Sequence, residues 1–350
     1  MQKSKLFDAD AEFGKTNQNN LKQGEITMIN ALHITATTVT PLLQIGENGS
    51  QRKGYSYNDG EKWQVPLFSA NGLRGTLRRI ATKQQIEKAT ELNPSFELSP
   101  ELFYLYTSGA GLGKLSLNDN SLIDHENSKK IREQAPILSL FGAGLSAISG
   151  KIGIADLSPA SDQELFGTTS DGKRYPLLLA QDTNFRIDSA KNESLWGNVL
   201  NLESIKKWRD EYAEMVTSSK DAKRKGEVER EADSHIQQPV GIEFIIPNVK
   251  LTSSVNEIAG SVLTDVEMGC LISSLCELSM MQIGSAKRIS FGVLDWTIEH
   301  EGEVLLSSRS NPDYVLDRKL LITEKGQSFI GEWEKWLEKN AISMDIFSDK

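Results

Sequence analysis

The residues in this sequence best suited to chemistry are two arginines, Arg74 and Arg78, which lie four positions apart in the segment 65–80. The segment leaves an extended stretch and enters an amphipathic pattern, so the sequence predicts a helix whose start is capped by Ser69 or Asn71. The two arginines share a neighbouring face near the positive end of the helix dipole. Helix-end amides and two guanidiniums together suit a phosphate group, or a chain of phosphates.

The same segment also has a simpler interpretation as a solvated helix face. Leu73, Leu77 and Ile80 recur at helical spacing and predict a buried stripe. Gly72 and Gly75 leave room for another backbone to come close. The pattern therefore predicts the helix and leaves open whether its arginines bind a ligand.

The composition is that of an ordinary globular protein. It permits anion binding at a local site but argues against anion binding over the whole surface. The chain has 350 residues, 38% hydrophobic and 25% charged, with a formal charge of -9. This acidic balance argues against a protein that coats nucleic acid with its whole surface, but it permits a local basic groove. The sequence lacks a membrane-length apolar run and a signal-peptide core, so we expect a cytoplasmic protein that does not bind a membrane.

The order of the helix and strand patterns predicts an α+β fold with a ferredoxin-like (RRM-like) βαββαβ core, two helices lying against one face of an antiparallel sheet. The expected strands are 25–40, 151–157, 240–246 (extended near 249–251) and 291–298. The expected core helices are the segment that starts near residue 70 and reaches Glu91, and 262–281. The expected parts of the chain are a flexible arm at 1–24, a core at 25–157 and 239–300, an inserted thumb and helical lid at 158–238, and a C-terminal strand and helix at 301–350.

Other chemistry-bearing residues give weaker patterns. The glycine-rich run 109–114 resembles a phosphate-binding loop, but its spacing fails because Leu115 stands where Ser or Thr is required. Cys270 and Cys276 fall within one predicted helix and are badly spaced for a disulfide or a metal. We find neither a metal cluster nor a nucleotide loop and predict no cofactor. Asp59 lies in a glycine-rich turn, which is an ordinary turn composition.

Several of these motifs, taken in order, resemble the RAMP superfamily of CRISPR-associated proteins. Leu73-Arg74-Gly75 followed by Leu77-Arg78 looks like its first-helix motif, and the segment 283–293 resembles its glycine-rich loop before the last core strand. Leu140-Phe141-Gly142, a strand that ends at Asp156, and the segment 185–189 correspond in order to the second strand and thumb of backbone subunits. The wording of 68–75 is most similar to the type IV backbone subunit.

The resemblance implies a non-catalytic, RNA-binding subunit that polymerises along the spacer of a CRISPR guide RNA. The guide would then pair with a complementary target nucleic acid. The expected partners are other copies of this chain, a large subunit, a capping subunit and a helicase. The residues implied to contact RNA belong to the first helix, the glycine-rich loop and the thumb: Ser69, Asn71, Gly72, Arg74, Arg78, Gly284, Ser285, Lys287, Arg288, Phe185 and Arg186. Phe185 and Arg186 would stack at a kinked base.

An enzyme remains the alternative within the same superfamily. Some members cleave guide precursors through a histidine, and some backbone subunits cut target RNA through a loop aspartate. The four histidines here (33, 125, 235 and 300) are scattered in the sequence, and Asp59 lies in the loop where a target-cleaving aspartate is expected. The alternative is therefore an endoribonuclease that acts on guide precursor or target RNA.

Overall fold

The computed structural model describes residues 32–46, 50–58, 61–109, 125–143, 148–186, 238–258 and 261–343. The first part of the chain contains β1 (Leu32–Thr38), β2 (Lys53–Asn58), β3 (Glu61–Pro66), α1 (Ala70–Leu92), α2 (Pro100–Ser108), α3 (His125–Gln134) and α4 (Pro136–Phe141). The middle contains β4 (Ile152–Ile154), β5 (Ser158–Pro159), β6 (Phe166–Thr168), β7 (Arg174–Pro176), β8 (Leu179–Arg186), β9 (Gln238–Ile245) and β10 (Lys250–Glu257). The last part contains α5 (Asp265–Ser279), β11 (Leu294–His300), β12 (Glu303–Ser310), β13 (Arg318–Ile322) and α6 (Glu324–Asn340).

The central antiparallel sheet has the strand order β13-β12-β11-β1-β10-β4, with β5 paired to β10. β1 lies in its interior, where Ala36 is opposite Leu251 on one side and Trp296 on the other. Alternate residues of β1, from Leu32 through Ile34 to Ala36, are fully buried. Because alternate residues of a strand point to opposite faces, one face of the sheet carries the core.

The helices close that core and pack against one another. α1 contacts α4, α5 and α6, and α5 packs along α6. A capping box starts α5, where Thr264 and Glu267 satisfy each other's backbone amides. Among the described helices, none combines the length and apolar character needed to cross a membrane.

The α+β class predicted from the sequence is confirmed, and the first helix spans Ala70–Leu92, close to its predicted extent. The prediction of the third core strand is wrong. Residues 240–246 do alternate, but they belong to β9, which pairs with β8 in a separate two-stranded ribbon. The core strand is β10, where Ser253 is buried beside Leu251 and Val255 and donates to the Ala155 carbonyl. β10 has a polar residue at a buried position, so its sequence lacks the alternation of apolar and polar residues from which a strand is predicted.

Other boundaries also differ from the sequence prediction. The segment 93–136, for which the sequence predicts no strand or core helix, contains α2 and α3, and the second strand is only three residues long in the sheet. Two strands, β12 and β13, extend the sheet past β11, and β12 was not predicted. The expected arm at 1–24 and most of the expected insertion, 187–237, lie outside the described residues.

Candidate functional site: an arginine cleft

The start of α1 is capped by the protein itself. Ser69 accepts a hydrogen bond from the Gly72 amide at 3.2 Å, and its hydroxyl also accepts from the Gln44 side chain at 2.8 Å. Asp156 accepts from the Ala70 amide at 2.6 Å. These helix-end amides therefore already have protein acceptors, and the capacity for an anion lies with the arginines further along the helix.

The arginines open into a cleft of about 580 Å³ between α1, the end of α2 and the end of α4. Its wall is made of three arginines, short polar side chains and glycines, with few apolar residues. The lining residues are Asn71, Arg74, Gly75, Arg78, Arg79, Thr107, Ser108, Gly109, Phe141, Gly142, Ala143, Ile148, Ser149 and Gly150. Among the residues that the structure describes, the lining is thus basic and includes no carboxylate, which is a local exception in an acidic protein.

Two of the guanidiniums converge on the C-terminal end of α4. Arg74 Nη2 donates to the Phe141 carbonyl at 2.6 Å, and Arg78 Nη2 donates to the same oxygen at 2.5 Å. Arg78 also donates to the Gly142 carbonyl and lies 5.7 Å from the centre of the Phe141 ring. The last carbonyls of a helix accept no hydrogen bond from within the helix, and they carry the negative end of its dipole. They are therefore free to accept from these guanidiniums and hold them in place.

The described residues give these held cations no counter-charge. Among the residues that the structure describes, no carboxylate lies within ion-pair distance of Arg74, Arg78 or Arg79. Burial, and then repulsion from Arg74, lowers the pKa of Arg78 to about 10, so the group is still charged at neutral pH. Burial also lowers the pKa of Arg74. An anion that entered the cleft would relieve this repulsion.

Arg78 has a hydrogen-bond donor without an acceptor, in addition to a charge without a described carboxylate partner. The residue is only 6% exposed. Its Nε is buried with no hydrogen-bond partner, although a guanidinium offers five N–H donors. A buried unpaired donor costs free energy, so the site as described is short of acceptors. A phosphate supplies acceptor oxygens in the geometry that a guanidinium prefers.

Glycines let the guanidiniums reach these positions. A Cβ at Gly109 would lie 1.8 Å from Arg78 Nη1, and a Cβ at Gly150 would lie 2.6 Å from Arg74 Nη2. α2 packs against α1 at Thr82, whose hydroxyl is 2.9 Å from the Arg78 carbonyl of its own helix and 3.1 Å from the Tyr106 carbonyl of α2. That contact sets the end of α2, and therefore Gly109, directly against Arg78.

Gly109→Ala is expected to lower thermal stability and RNA affinity by more than the strain of a left-handed backbone conformation alone would cause. Gly109 has a φ of 70°, so alanine adds about 1 kcal/mol of left-handed strain, and it also collides with Arg78. Gly172→Ala is the matched control, because Gly172 has a φ of 80° and a Cβ there meets nothing within 4 Å. Thermal unfolding and RNA affinity are measured for both. Equal behaviour of the two variants would show that Arg78 does not depend on Gly109.

The glycine-rich loop lies outside the cleft lining. The Ser285 amide donates to the Leu43 carbonyl at 2.7 Å, and Gly284 lies against the same backbone. Lys287 and Arg288 are exposed on a short 3₁₀ turn. Leu43, which accepts from this loop, is followed directly by Gln44. The side chain of Gln44 donates to the hydroxyl of Ser69, the N-cap of α1. The structure therefore connects the loop with the helix start, but it does not bring Lys287 and Arg288 to Arg74 and Arg78.

The remaining sequence-predicted residues are only partly accounted for. Phe185 and Arg186 end β8 opposite Pro239 and Gln238, so their backbone belongs to the ribbon, and their side chains lie outside the described ones. Asp59 lies outside the described residues, between β2 and β3. His33 and His300 lie on adjacent strands, β1 and β11.

Sequence reasoning missed much of the cleft wall. Arg79 follows Arg78 directly and lines the cleft, and Arg132 donates to the Ser149 carbonyl at 2.8 Å. Gly109 and Gly142 were noted only as parts of glycine-rich stretches. A glycine just before or after a predicted helix can be recognised in the sequence. Which arginine lies against that glycine depends on how the helices pack, and the sequence does not show this.

Comparison with known proteins leaves the chain without an assigned family. No protein-family profile matches it, and no curated protein matches it. A chain from a solved structure described as a "Type IV-B CRISPR Complex" is similar, with 13% sequence identity and a TM-score of 0.46 over 78% of this chain and 91% of that chain. At this identity and TM-score the likeness assigns neither a fold nor a function to the chain.

Proposed function

We propose that this chain is a non-catalytic, RNA-binding backbone subunit of a CRISPR effector complex, and that the arginine cleft holds the phosphates of the guide RNA. The observation that carries the proposal is the pair formed by Arg74 and Arg78, which share one carbonyl acceptor and have no described carboxylate partner. This pair is also the part of the first-helix motif that resembles RAMP backbone subunits. The proposal thus rests on one set of residues seen in two independent ways.

The strand order supports a ferredoxin-like core for this subunit. In chain order the core elements are β1, α1, β4, β10, α5 and β11, and their strands lie in the sheet order β11-β1-β10-β4. Numbered within the βαββαβ unit, this is the order 4-1-3-2, with β1 antiparallel to both neighbours. The strands β12 and β13 and the helix α6 are then additions at one edge and end of the core.

Polymerisation along RNA explains how an acidic protein binds a polyanion. Among the described residues, each copy offers this small basic cleft within a chain of charge -9. A few phosphate contacts for each copy give weak binding alone, and linked copies on one strand raise the overall affinity through effective concentration. The protein contacts the backbone, and base pairing between guide and target supplies the sequence specificity.

The proposal is tested by purifying the protein without nuclease from cells that co-express a CRISPR array. We expect large particles with a raised 260/280 nm absorbance ratio that contain discrete RNA of guide length and spacer sequence. RNA-free monomers from such cells would contradict the proposal. The purified protein is also incubated with guide precursor and with target RNA, and cleavage that Asp59→Ala abolishes would favour the endoribonuclease instead.

A further inference from the structure

The exposed aromatic pair on α2, Phe103 and Tyr104, lies beside the arginine cleft without belonging to its lining. Their side chains are 44% and 53% exposed, and the two rings meet edge to face with centroids 5.9 Å apart. The neighbouring residues Leu105 and Tyr106 are fully buried. α2 therefore turns its other aromatic ring and its leucines inward while it presents this pair to solvent.

The helix register connects the pair to the cleft. Phe103 and Tyr104 are each four residues before a cleft-lining residue, Thr107 and Ser108 respectively. Residues four apart share a helix face, and four residues span about 6 Å along the axis. Hydrogen bonds also connect the residues of each pair, because the hydroxyls of Thr107 and Ser108 donate to the Phe103 and Tyr104 carbonyls at 2.6 and 2.7 Å. The aromatic pair is thus one helical turn from two residues that line the arginine cleft.

We infer that Phe103 and Tyr104 form a stacking platform for a nucleobase of the single RNA strand whose phosphate occupies the arginine cleft. This inference rests on the proposed function, since it places the strand in the cleft. Single-stranded nucleic acid is bound by combining a basic groove with adjacent aromatic rings, on which bases of any identity stack. The cleft supplies the first part, and the pair on α2 supplies the second within reach of a neighbouring nucleotide.

The inference is tested by fluorescence anisotropy with two labelled probes, a 12-nucleotide uridine RNA and a ribose-phosphate strand of the same length without bases. The double variant Phe103→Ala/Tyr104→Ala is expected to bind the uridine RNA about 10-fold more weakly or worse and the abasic strand as the wild type does. The dependence of affinity on salt should not change, because no phosphate contact is removed. Tyr104→Phe keeps a stacking ring and should retain wild-type affinity.

Tyr314→Ala is the matched control, because Tyr314 is an aromatic residue with 73% exposure outside the cleft and its helix. Unchanged uridine binding by the double variant would overturn the platform and leave the proposed function in place. An equal loss on both probes would also overturn it, since the rings would then support the cleft rather than a base. A wild-type protein that binds neither probe would overturn the proposed function and the platform with it.

Discussion

Replacing Arg74 and Arg78 together by glutamine is expected to lower the affinity for single-stranded RNA at least about 100-fold at low salt, since each charged hydrogen bond to a phosphate is worth about 1.5–3 kcal/mol. The plot of log affinity against log salt should become shallower by about 1.4, because each lost contact with a single strand removes about 0.7. The measurement is a salt titration of RNA binding. Both effects follow from the same two guanidiniums, which line the cleft and lack a described carboxylate partner.

Two further variants separate charge from structure in this experiment. Lys335→Gln/Lys339→Gln removes two exposed charges from α6, far from the cleft lining, and should leave the salt dependence unchanged. Arg79→Gln removes an exposed cleft guanidinium that holds no backbone carbonyl, so it should reduce the slope without altering the fold. If the glutamine pair folds normally and binds RNA with the wild-type slope, the cleft does not hold RNA phosphates.

Trp333→Ala is expected to lower the free energy of unfolding by about 3–5 kcal/mol, as deletion of a large buried ring usually does. Trp333 is 1% exposed, and its ring stacks on Trp336 with centroids 5.1 Å apart. Its indole N–H donates to Gln84 of α1 at 3.2 Å, so the residue joins α6 to the helix that carries the arginines. Urea denaturation measures the loss, with the midpoint and slope fitted separately.

The partner tryptophan supplies the control for this substitution. Trp336 is only half-buried, so Trp336→Ala should cost markedly less than Trp333→Ala, and Trp333→Phe should recover most of the loss because it keeps a ring in the core. At temperatures where Trp333→Ala is folded, its RNA affinity should equal that of the wild type, since α6 does not line the cleft. Equal destabilisation by the two alanine variants would contradict the role assigned to Trp333.

The local parts of the fold were predictable because they depend on short-range physics. Leu73, Leu77 and Ile80 predicted a helix stripe and are buried, and Ser69 is the N-cap that its residue type suggested. Where the pattern was interrupted, prediction failed. β10 contains Thr252, Ser253 and Ser254, so its alternation is weak, and the clearer alternation of 240–246 belongs mainly to a two-stranded ribbon that is not part of the central sheet. Alternation identifies a strand but not the strand that pairs with it.

The sequence by itself determined the α+β class, the first helix and the arginine pair at its start. Only the tertiary structure decided what surrounds that pair: the Phe141 and Gly142 carbonyls, about 65 residues away in the chain, and the two glycines that admit the guanidiniums. These contacts join residues of α1 to the ends of α2 and α4 and to Gly150, and no periodicity in one segment encodes them. The structure also shows that two of the amides at the helix start already have acceptors in the protein, because Asp156 accepts from Ala70 and Ser69 accepts from Gly72.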